Sequence, residues 1–293
     1  MSLVRVVTLV YLLVGGAICV ADPAWQLVWQ DEFAKSGAPD PSKWSYHVGG
    51  GWHSGLKRFL GWGNDETQFY RPEQCVVARG ALRLTAILKS TRTRKMEWAA
   101  RSCRITTDRK FSFKYGAIEA RIALPQKSGF WPAFWMMGDV CNDSSTSLRH
   151  PASGYVDRMA TNWPACGEID VLENRDGENI AYQNLHWDAR EKLLPYREDQ
   201  VRVVGSHGTA AAMTAYHVYR VEWTAERITW LIDGRTVATQ AITVPAMEEL
   251  QRPYHVIINL AVGGTFPRGD LFGSDFPATM NVDYVRVYRA EGQ

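Results

Sequence analysis

The sequence has little net charge. Its 293 residues include 33 Lys and Arg against 31 Asp and Glu, which leaves a formal charge of +2. Such a chain has no long-range field that would hold a phosphate backbone, so we expect no nucleic-acid partner. Apolar residues make up 46% and charged residues 22% of the chain, and this composition excludes a disordered or collagen-like protein.

Long apolar runs are also scarce, and the N-terminus is the exception. Arg5 precedes the apolar stretch 6–14, and small residues end at Ala21, as in a secretory signal peptide. We predict that residues 1–21 are removed, with an uncleaved signal anchor as the alternative. Because no repeat or Pro-, Gly- or Ser-rich linker follows, residues 22–293 are predicted to form one secreted domain, a monomer without membrane contact.

Cysteine is scarce too, with five residues in all. Cys19 leaves with the signal peptide, and the even set that remains predicts two disulfides in an oxidising compartment. Four cysteines allow three pairings. The sequence does not choose among them, and we favour Cys75 with Cys103 and Cys141 with Cys166. The C-x-x-C and H-E-x-x-H spacings are missing, which argues against a zinc site.

Helical periodicity is nearly missing from the sequence. Only residues 244–252 have a helical pattern, which Pro253 ends. Short β-rich segments between turn residues predict strands instead. These segments are Ala81–Ala86, Tyr115–Ile122, Val218–Trp223, Ile228–Ile232, Thr236–Gln240, His255–Leu260 and Asn281–Tyr288. We therefore predict an all-β fold, a sandwich of two packed antiparallel sheets.

One polar segment, 139–164, has no periodicity. Loops of this length are uncommon unless they are functional or disordered. Cys141 and Cys166 flank it, so a disulfide between them would close the loop. Asn142 begins a glycosylation sequon, which would place the loop tip at the surface if it is used.

Three carboxylates lie close together in the segment that follows. Glu168 and Asp170 share a face of a regular strand, whereas Glu173 would point the other way. A β-bulge at Val171 or Leu172 would return Glu173 to their face. Because like charges at close range destabilise an ionised strand, this spacing favours catalysis. The alternatives are scattered solvated acids and a calcium site.

Tryptophan, by contrast, is abundant, with 12 residues. Several of them flank the acids in the sequence, in the segments 130–135, 162–164 and 186–187. Each ring alone is more easily explained as part of the core. As a group they favour a binding cleft, because aromatic faces stack on flat apolar surfaces such as those of sugars.

The same residues carry a family resemblance. Glu168–Glu173 resembles the bulged E-x-D-x-x-E motif of glycoside hydrolase family 16, as found in laminarinases, the endo-β-1,3-glucanases. Other similar blocks follow the family order over almost the whole mature chain: Leu27–Phe33, Trp62–Tyr70, Gly129–Trp135 and Asp283–Tyr288. The resemblance implies a β-jelly-roll sandwich with a cleft across its concave sheet, and a secreted retaining enzyme that hydrolyses β-1,3-glucan and mixed β-1,3-1,4-glucan.

The resemblance also implies roles for the acids. Glu168 would be the nucleophile, Glu173 the general acid/base, and Asp170 the residue that orients the nucleophile. Retention requires the two glutamate carboxyls to lie about 5–5.5 Å apart. No cofactor is implied for catalysis. Two alternatives use the same scaffold, a β-1,3-glucan-binding protein without activity and a transglycosylase, and galactan-cleaving relatives share the acids.

Further positions match the family's sugar-binding and ion-binding residues. The sugar-binding candidates are Asn64, Trp131, Trp135, Trp163 and His186. Asp283, with the backbone near Glu32 and Gly80, resembles a structural calcium site on the convex face. The chain departs from the family at Phe266, where laminarinases usually have Trp, and in the long segment 139–164, which we expect to wall the non-reducing end of the cleft.

Overall fold

A computed structural model describes ten segments of the chain. They are residues 24–53, 58–59, 61–92, 97–141, 163–164, 166–188, 198–203, 213–244, 247–271 and 275–291. The predicted signal peptide, most of the segment 139–164 and the sequon at Asn142 lie outside the described residues, and these expectations stay predictions.

Strands dominate the described residues. In chain order they are β1 (Trp25–Asp31), β2 (Ser45–Tyr46), β3 (Trp52–His53), β4 (Arg58–Phe59), β5 (Gln68–Tyr70), β6 (Cys75–Ala78), β7 (Ala81–Arg92), β8 (Glu97–Ser102), β9 (Arg104–Thr106), β10 (Ser112–Phe113), β11 (Gly116–Ala123), β12 (Phe130–Gly138), β13 (Glu168–Glu173), β14 (Tyr182–Asp188), β15 (Glu198–Val203), β16 (His217–Trp223), β17 (Arg227–Ile232), β18 (Arg235–Ala241), β19 (Tyr254–Val262) and β20 (Ala278–Ala290). Short 3-10 helices span Gly61–Gly63, Pro72–Gln74 and Glu248–Gln251.

The strands form two large sheets and a small one. A ten-stranded sheet has the order β18-β17-β16-β11-β20-β7-β8-β5, with β1 on β20 and β6 on β7. An eight-stranded sheet has the order β15-β14-β13-β12-β19-β9-β2, with β10 on β19. The strands β3 and β4 pair with each other. Apart from β5 with β8, every strand pairing among the described residues is antiparallel.

The all-β prediction is confirmed, and all seven predicted strands are present. The helical prediction was wrong: among the described residues of the range 244–252, only Glu248–Gln251 is helical, and it is a single 3-10 turn. This turn leads into β19, and Pro253 at the junction limits it as expected. Among the described residues, none belongs to a helix long and apolar enough to cross a bilayer.

The core lies between the two large sheets. All nine residues of β19 are buried, and this strand runs through the middle of the eight-stranded sheet. From the opposite sheet, alternate residues of β16 and β17 are buried, including Trp223 and Trp230. The Trp230 indole Nε1 donates to the Asp170 carbonyl oxygen at 2.8 Å. This bond ties the ten-stranded sheet to the strand that bears the acids.

Both favoured disulfides are present. Cys75 is joined to Cys103, with their Cα atoms 5.6 Å apart, and Cys141 to Cys166, with their Cα atoms 5.0 Å apart. The first links β6 to the residue between β8 and β9. The second joins the turn after β12 to the residues just before β13, so it fixes the base of the long polar segment next to Glu168.

Candidate active site

The strand β13 contains the bulge that the acidic spacing predicted. Against β12, Asp170 pairs with Trp135 and Leu172 pairs with Phe134, which leaves Val171 as the extra residue. Against β14, the register also shifts between Asp170 and Glu173. One inserted residue reverses the alternation of side chains, so Glu173 returns to the face of the other two acids.

The register on both neighbouring strands places the three acids on one face. Residues that oppose Glu168, Asp170 and Glu173 alternate along each neighbour, and alternate residues of a strand share a face. On β12 these partners are Met137, Trp135 and Ala133. On β14 they are His186, Asn184 and Tyr182. We therefore describe this face of the eight-stranded sheet as the acidic face.

Glu168 stands at the start of β13. Trp163 Nε1 donates to its Oε2 at 2.8 Å, and His186 Nε2 lies 3.7 Å from its Oε1. The preceding Gly167 has φ 82°, and a Cβ at this position would lie 1.9 Å from the Tyr254 hydroxyl oxygen. Only glycine fits this approach, so it fixes the entry to β13 and the direction of Glu168.

Asp170 lies between the two glutamates and is buried. His186 Nε2 lies 3.4 Å from its Oδ2. The pKa of Asp170 is raised to about 7: burial is the largest cause, the negative charge of Glu168 and a hydrogen bond with that residue act in the same direction, and His186 opposes them. The hydrogen bond between Asp170 and Glu168 is the contact expected of a residue that orients Glu168.

Glu173 is held by donors from both neighbouring strands. Trp131 Nε1 donates to its Oε1 at 2.7 Å, and Asn184 Nδ2 donates to its Oε2. Burial, and next the charge of Asp170, raise the pKa of Glu173 to about 8, although both donors favour the ionised form. A carboxyl group with this pKa holds its proton at neutral pH, as a general acid must.

The charge of His186 balances the acids. Burial disfavours its cation, but the carboxylates of Glu168 and Asp170 outweigh burial and raise its pKa to about 9. Burial also raises the pKa of Glu168, and the cation of His186 opposes that rise. An imidazolium therefore faces the Glu168 end of the site, while neutral donors face the Glu173 end.

Aromatic rings and a buried cation extend the acidic face across β12, β19 and β9. Trp135 Nε1 donates to Asn259 Oδ1 at 2.7 Å. The guanidinium carbon of Arg104 lies 4.8 Å from the Trp135 ring centroid and 5.0 Å from that of Trp62. Trp62 has φ 58°, in the left-handed region that non-glycine residues seldom adopt. This row gives the face flat apolar surfaces beside the acids.

Asn64 lies at the edge of this row. Its side chain bonds to buried Glu66, which also accepts from Gln68 Nε2 at 2.5 Å and from the Tyr70 hydroxyl at 3.1 Å. The Asn64 carbonyl accepts from Thr265 N at 2.9 Å. All five sugar-binding candidates therefore lie with the acids on or beside the acidic face.

Four polar residues of the site were not predicted from the sequence: Arg104, Asn184, Asn259 and Glu66. Asn184 had a usable signal, because it lies two residues before His186 and period two places both on one face of a strand. Glu66 belongs to the block 62–70 that resembled the family. Arg104 and Asn259 had no such signal, since they meet Trp135 only through the pairing of β9, β19 and β12.

Asp283 lies on the ten-stranded sheet, away from the acids. Arg121 donates from Nη1 to its Oδ2 at 2.7 Å. The Glu32 carboxylate is likewise engaged, by Arg286 Nε at 2.8 Å and Nη2 at 2.9 Å. A calcium site needs oxygen ligands without competing cations. Arg121 pairs with the Asp283 carboxylate, while the other expected ligands are backbone oxygens near Glu32 and Gly80, so the calcium site stays a prediction.

Comparison with known proteins explains this arrangement. The family model "Glycosyl hydrolases family 16" matches residues 149–286, and the model "Beta-glucan synthesis-associated protein SKN1/KRE6/Sbg1" matches residues 18–150. A "Beta-glucanase" of Rhodothermus marinus is 35% identical over 97% of this chain and 94% of its own length. The chain belongs to glycoside hydrolase family 16.

Other members of glycoside hydrolase family 16 agree with the fold. The laminarinase catalytic domain of Thermotoga maritima MSB8 superposes with a TM-score of 0.74 at 29% identity, covering 92% of this chain and 99% of that chain. A "Glucan endo-1,3-beta-glucosidase A1" of Niallia circulans is 32% identical over 92% of this chain and 39% of its own length. The jelly-roll prediction is confirmed by these matches, and the chain is a glycoside hydrolase.

Proposed function

We propose that this glycoside hydrolase cleaves β-1,3-glucan by a retaining double displacement. The observation that carries the proposal is the bulge of β13, which brings Glu168, Asp170 and Glu173 to one face and gives the two glutamates different partners. Trp163 and the His186 cation accompany Glu168, whereas Trp131 and Asn184 hold a protonated Glu173.

The first displacement uses Glu168 as nucleophile. One of its carboxylate oxygens attacks the anomeric carbon, and the bond from that carbon to the glycosidic oxygen breaks. Glu173 gives its proton to the leaving oxygen, so the departing sugar leaves as an alcohol. Asp170 and His186 hold Glu168 in place and stabilise its charge until it attacks.

The second displacement reverses these roles. The ester with Glu168 is neutral, and Glu173 is now ionised, so it takes a proton from water as the water oxygen attacks the anomeric carbon. Glu168 leaves as a carboxylate, and Glu173 recovers its proton. Two inversions give net retention, so the first product has the β configuration.

The substrate class is inferred from the relatives and the aromatic residues. The relatives are named as a β-glucanase, a laminarinase and a glucan endo-1,3-β-glucosidase. Trp131, Trp135 and Trp163 offer indole surfaces beside the acids for sugar rings. We propose β-1,3-glucan as the main substrate, with mixed β-1,3-1,4-glucan as a second one.

We also propose that the protein is secreted and acts as a monomer. Two disulfides support an oxidising compartment, in agreement with the predicted signal peptide. Mass measurement of the mature protein from culture medium, by intact-mass spectrometry and by light scattering, tests the cleavage after Ala21 and the monomer.

The decisive experiment incubates the mature protein with laminarin, lichenan and agarose. We expect new reducing ends from laminarin, with the β-anomer formed first by NMR. Glu168→Gln should lower kcat by several orders of magnitude at unchanged melting temperature, whereas Glu226→Gln, at an exposed glutamate far from the acids in sequence, should keep full activity. Early α-anomer, or normal turnover by Glu168→Gln, would contradict the proposal.

A binding assay and the analysis of product lengths separate the alternative functions. A glucan-binding protein would migrate more slowly in a gel that contains laminarin, but it would release no reducing ends. A transglycosylase would produce oligosaccharides longer than a laminari-oligosaccharide substrate, and the match of residues 18–150 to a family associated with glucan synthesis is a reason to measure product lengths. Cleavage of agarose instead of laminarin would point to a galactan-cleaving enzyme.

A further inference from the structure

We propose that Asn184 is a positioning residue for Glu173, and that Asn184 and His186 together make β14 the strand that assigns the two glutamates their different roles. This inference rests on the proposed function, because it explains how one glutamate serves as nucleophile and the other as acid. Its evidence is the pairing of β14 with β13 and the contacts of these two side chains.

The bulge of β13 brings the Glu173 carboxyl group within hydrogen-bonding distance of the Asn184 side chain. In the register, Asn184 opposes Asp170, and yet its amide donates to Glu173 Oε2. Trp131 donates to the other oxygen from β12, on the opposite flank of β13. Two N–H donors from two strands thus fix the plane of the Glu173 carboxyl group, and one of its oxygens can still carry the proton that Glu173 donates to the glycosidic oxygen.

His186, two residues further along β14, serves the other end of the site. Its Nε2 lies 3.7 Å from Glu168 Oε1 and 3.4 Å from Asp170 Oδ2, and its ring centroid is 5.3 Å from that of Trp163. An imidazolium here stabilises a carboxylate at Glu168. The amide of Asn184 carries no charge, so it holds Glu173 in place without requiring it to ionise.

Other ionisable residues occur on the elements next to Asn184, His186 and the two glutamates. Arg104 acts on Glu168 from β9 and is itself balanced by buried Glu66. Tyr254 of β19 lies within electrostatic range of Glu168. On the far flank of β14, the register pairs Gln200 with His186 and Arg202 with Asn184. Arg202 therefore needs its own control.

The test compares pH profiles of kcat/KM for laminarin hydrolysis. Asn184→Ser removes a donor that favours ionised Glu173, so the basic limb should move to higher pH, and kcat should fall about ten- to a hundredfold with little change in KM. His186→Gln removes a cation that favours ionised Glu168, so the acidic limb should move to higher pH. Arg202→Gln should move neither limb.

A second measurement needs no turnover. In the free wild-type protein with 15N-labelled histidine, His186 should remain an imidazolium above pH 8, and 13C-carboxyl glutamate spectra should show Glu173 protonated at pH 7. Neutral His186 at pH 7 would overturn the inference. So would an unmoved basic limb in Asn184→Ser, or an equal shift in Arg202→Gln. If the titrations agree but laminarin is not cleaved, the proposed function fails, whereas the contacts of Asn184 and His186 with the two glutamates are still supported.

Discussion

At the scale of single residues, the two glutamates differ by their partners. Glu168 faces the cation of His186, whereas Glu173 receives N–H donors and keeps its proton at neutral pH, because burial and Asp170 raise its pKa to about 8. The difference comes from neighbours on β12 and β14. A chemical test of the roles must therefore replace one glutamate at a time and leave these neighbours in place.

Azide rescue supplies that test. With an activated aryl β-glucoside, Glu173→Ala should be reactivated by azide and yield the β-glucosyl azide, because azide attacks the ester on Glu168 without a base. Glu168→Ala should yield the α-azide, since azide then replaces the nucleophile directly. NMR of the products distinguishes the anomers, and Glu226→Ala should give no azide product. Exchanged anomers would reverse the two assignments.

At the scale of the strand, the bulge of β13 decides which way Glu173 points. Deleting Val171 removes the extra residue and leaves Leu172 opposite Phe134 and Glu173 opposite Ala133, so regular alternation keeps Glu173 on the acidic face. We expect the variant to hydrolyse laminarin within about tenfold of the wild-type rate, with little change in melting temperature, because no carboxyl group enters the core. Both quantities are measured on purified protein.

A bulge far from the site is the matched control for that deletion. The register of β7 against β8 shifts between Leu88 and Thr91, and Lys89 lies within this shift. Deleting Lys89 should leave the rate of laminarin hydrolysis within a few-fold of wild type. Loss of activity after deletion of Val171, but not after deletion of Lys89, would show that the shortened strand does not keep Glu173 beside Glu168.

Much of this element-scale structure was predictable from the sequence. Period-two segments located seven strands, and the spacing of Glu168, Asp170 and Glu173 predicted the bulge. The contacts of Asn184 and Arg104 were not, because they depend on which strands become neighbours in the sheet. The helix expected near Pro253 failed for a related reason: packing against the core overrode a weak local propensity.

At the scale of the whole molecule, the acids reduce stability as pH rises. Glu173 has a folded pKa of about 8 against an ordinary value of 4.5, so the folded state binds a proton that the unfolded state has released between these values. His186 acts in the same direction above 6.5, because its folded pKa is about 9. The free energy of unfolding should therefore fall from pH 5 to pH 8.

Glu173→Gln isolates the contribution of this one proton. Glutamine keeps acceptor and shape but never ionises, so the variant should lose less melting temperature between pH 5 and pH 8 than wild type does. Glu226→Gln should follow the wild-type curve, because this side chain is exposed and lies outside the site. Thermal unfolding by circular dichroism at four pH values measures this. Parallel curves for wild type and Glu173→Gln would mean that Glu173 is already ionised at pH 7, and general acid catalysis by this residue would then need another source of its proton.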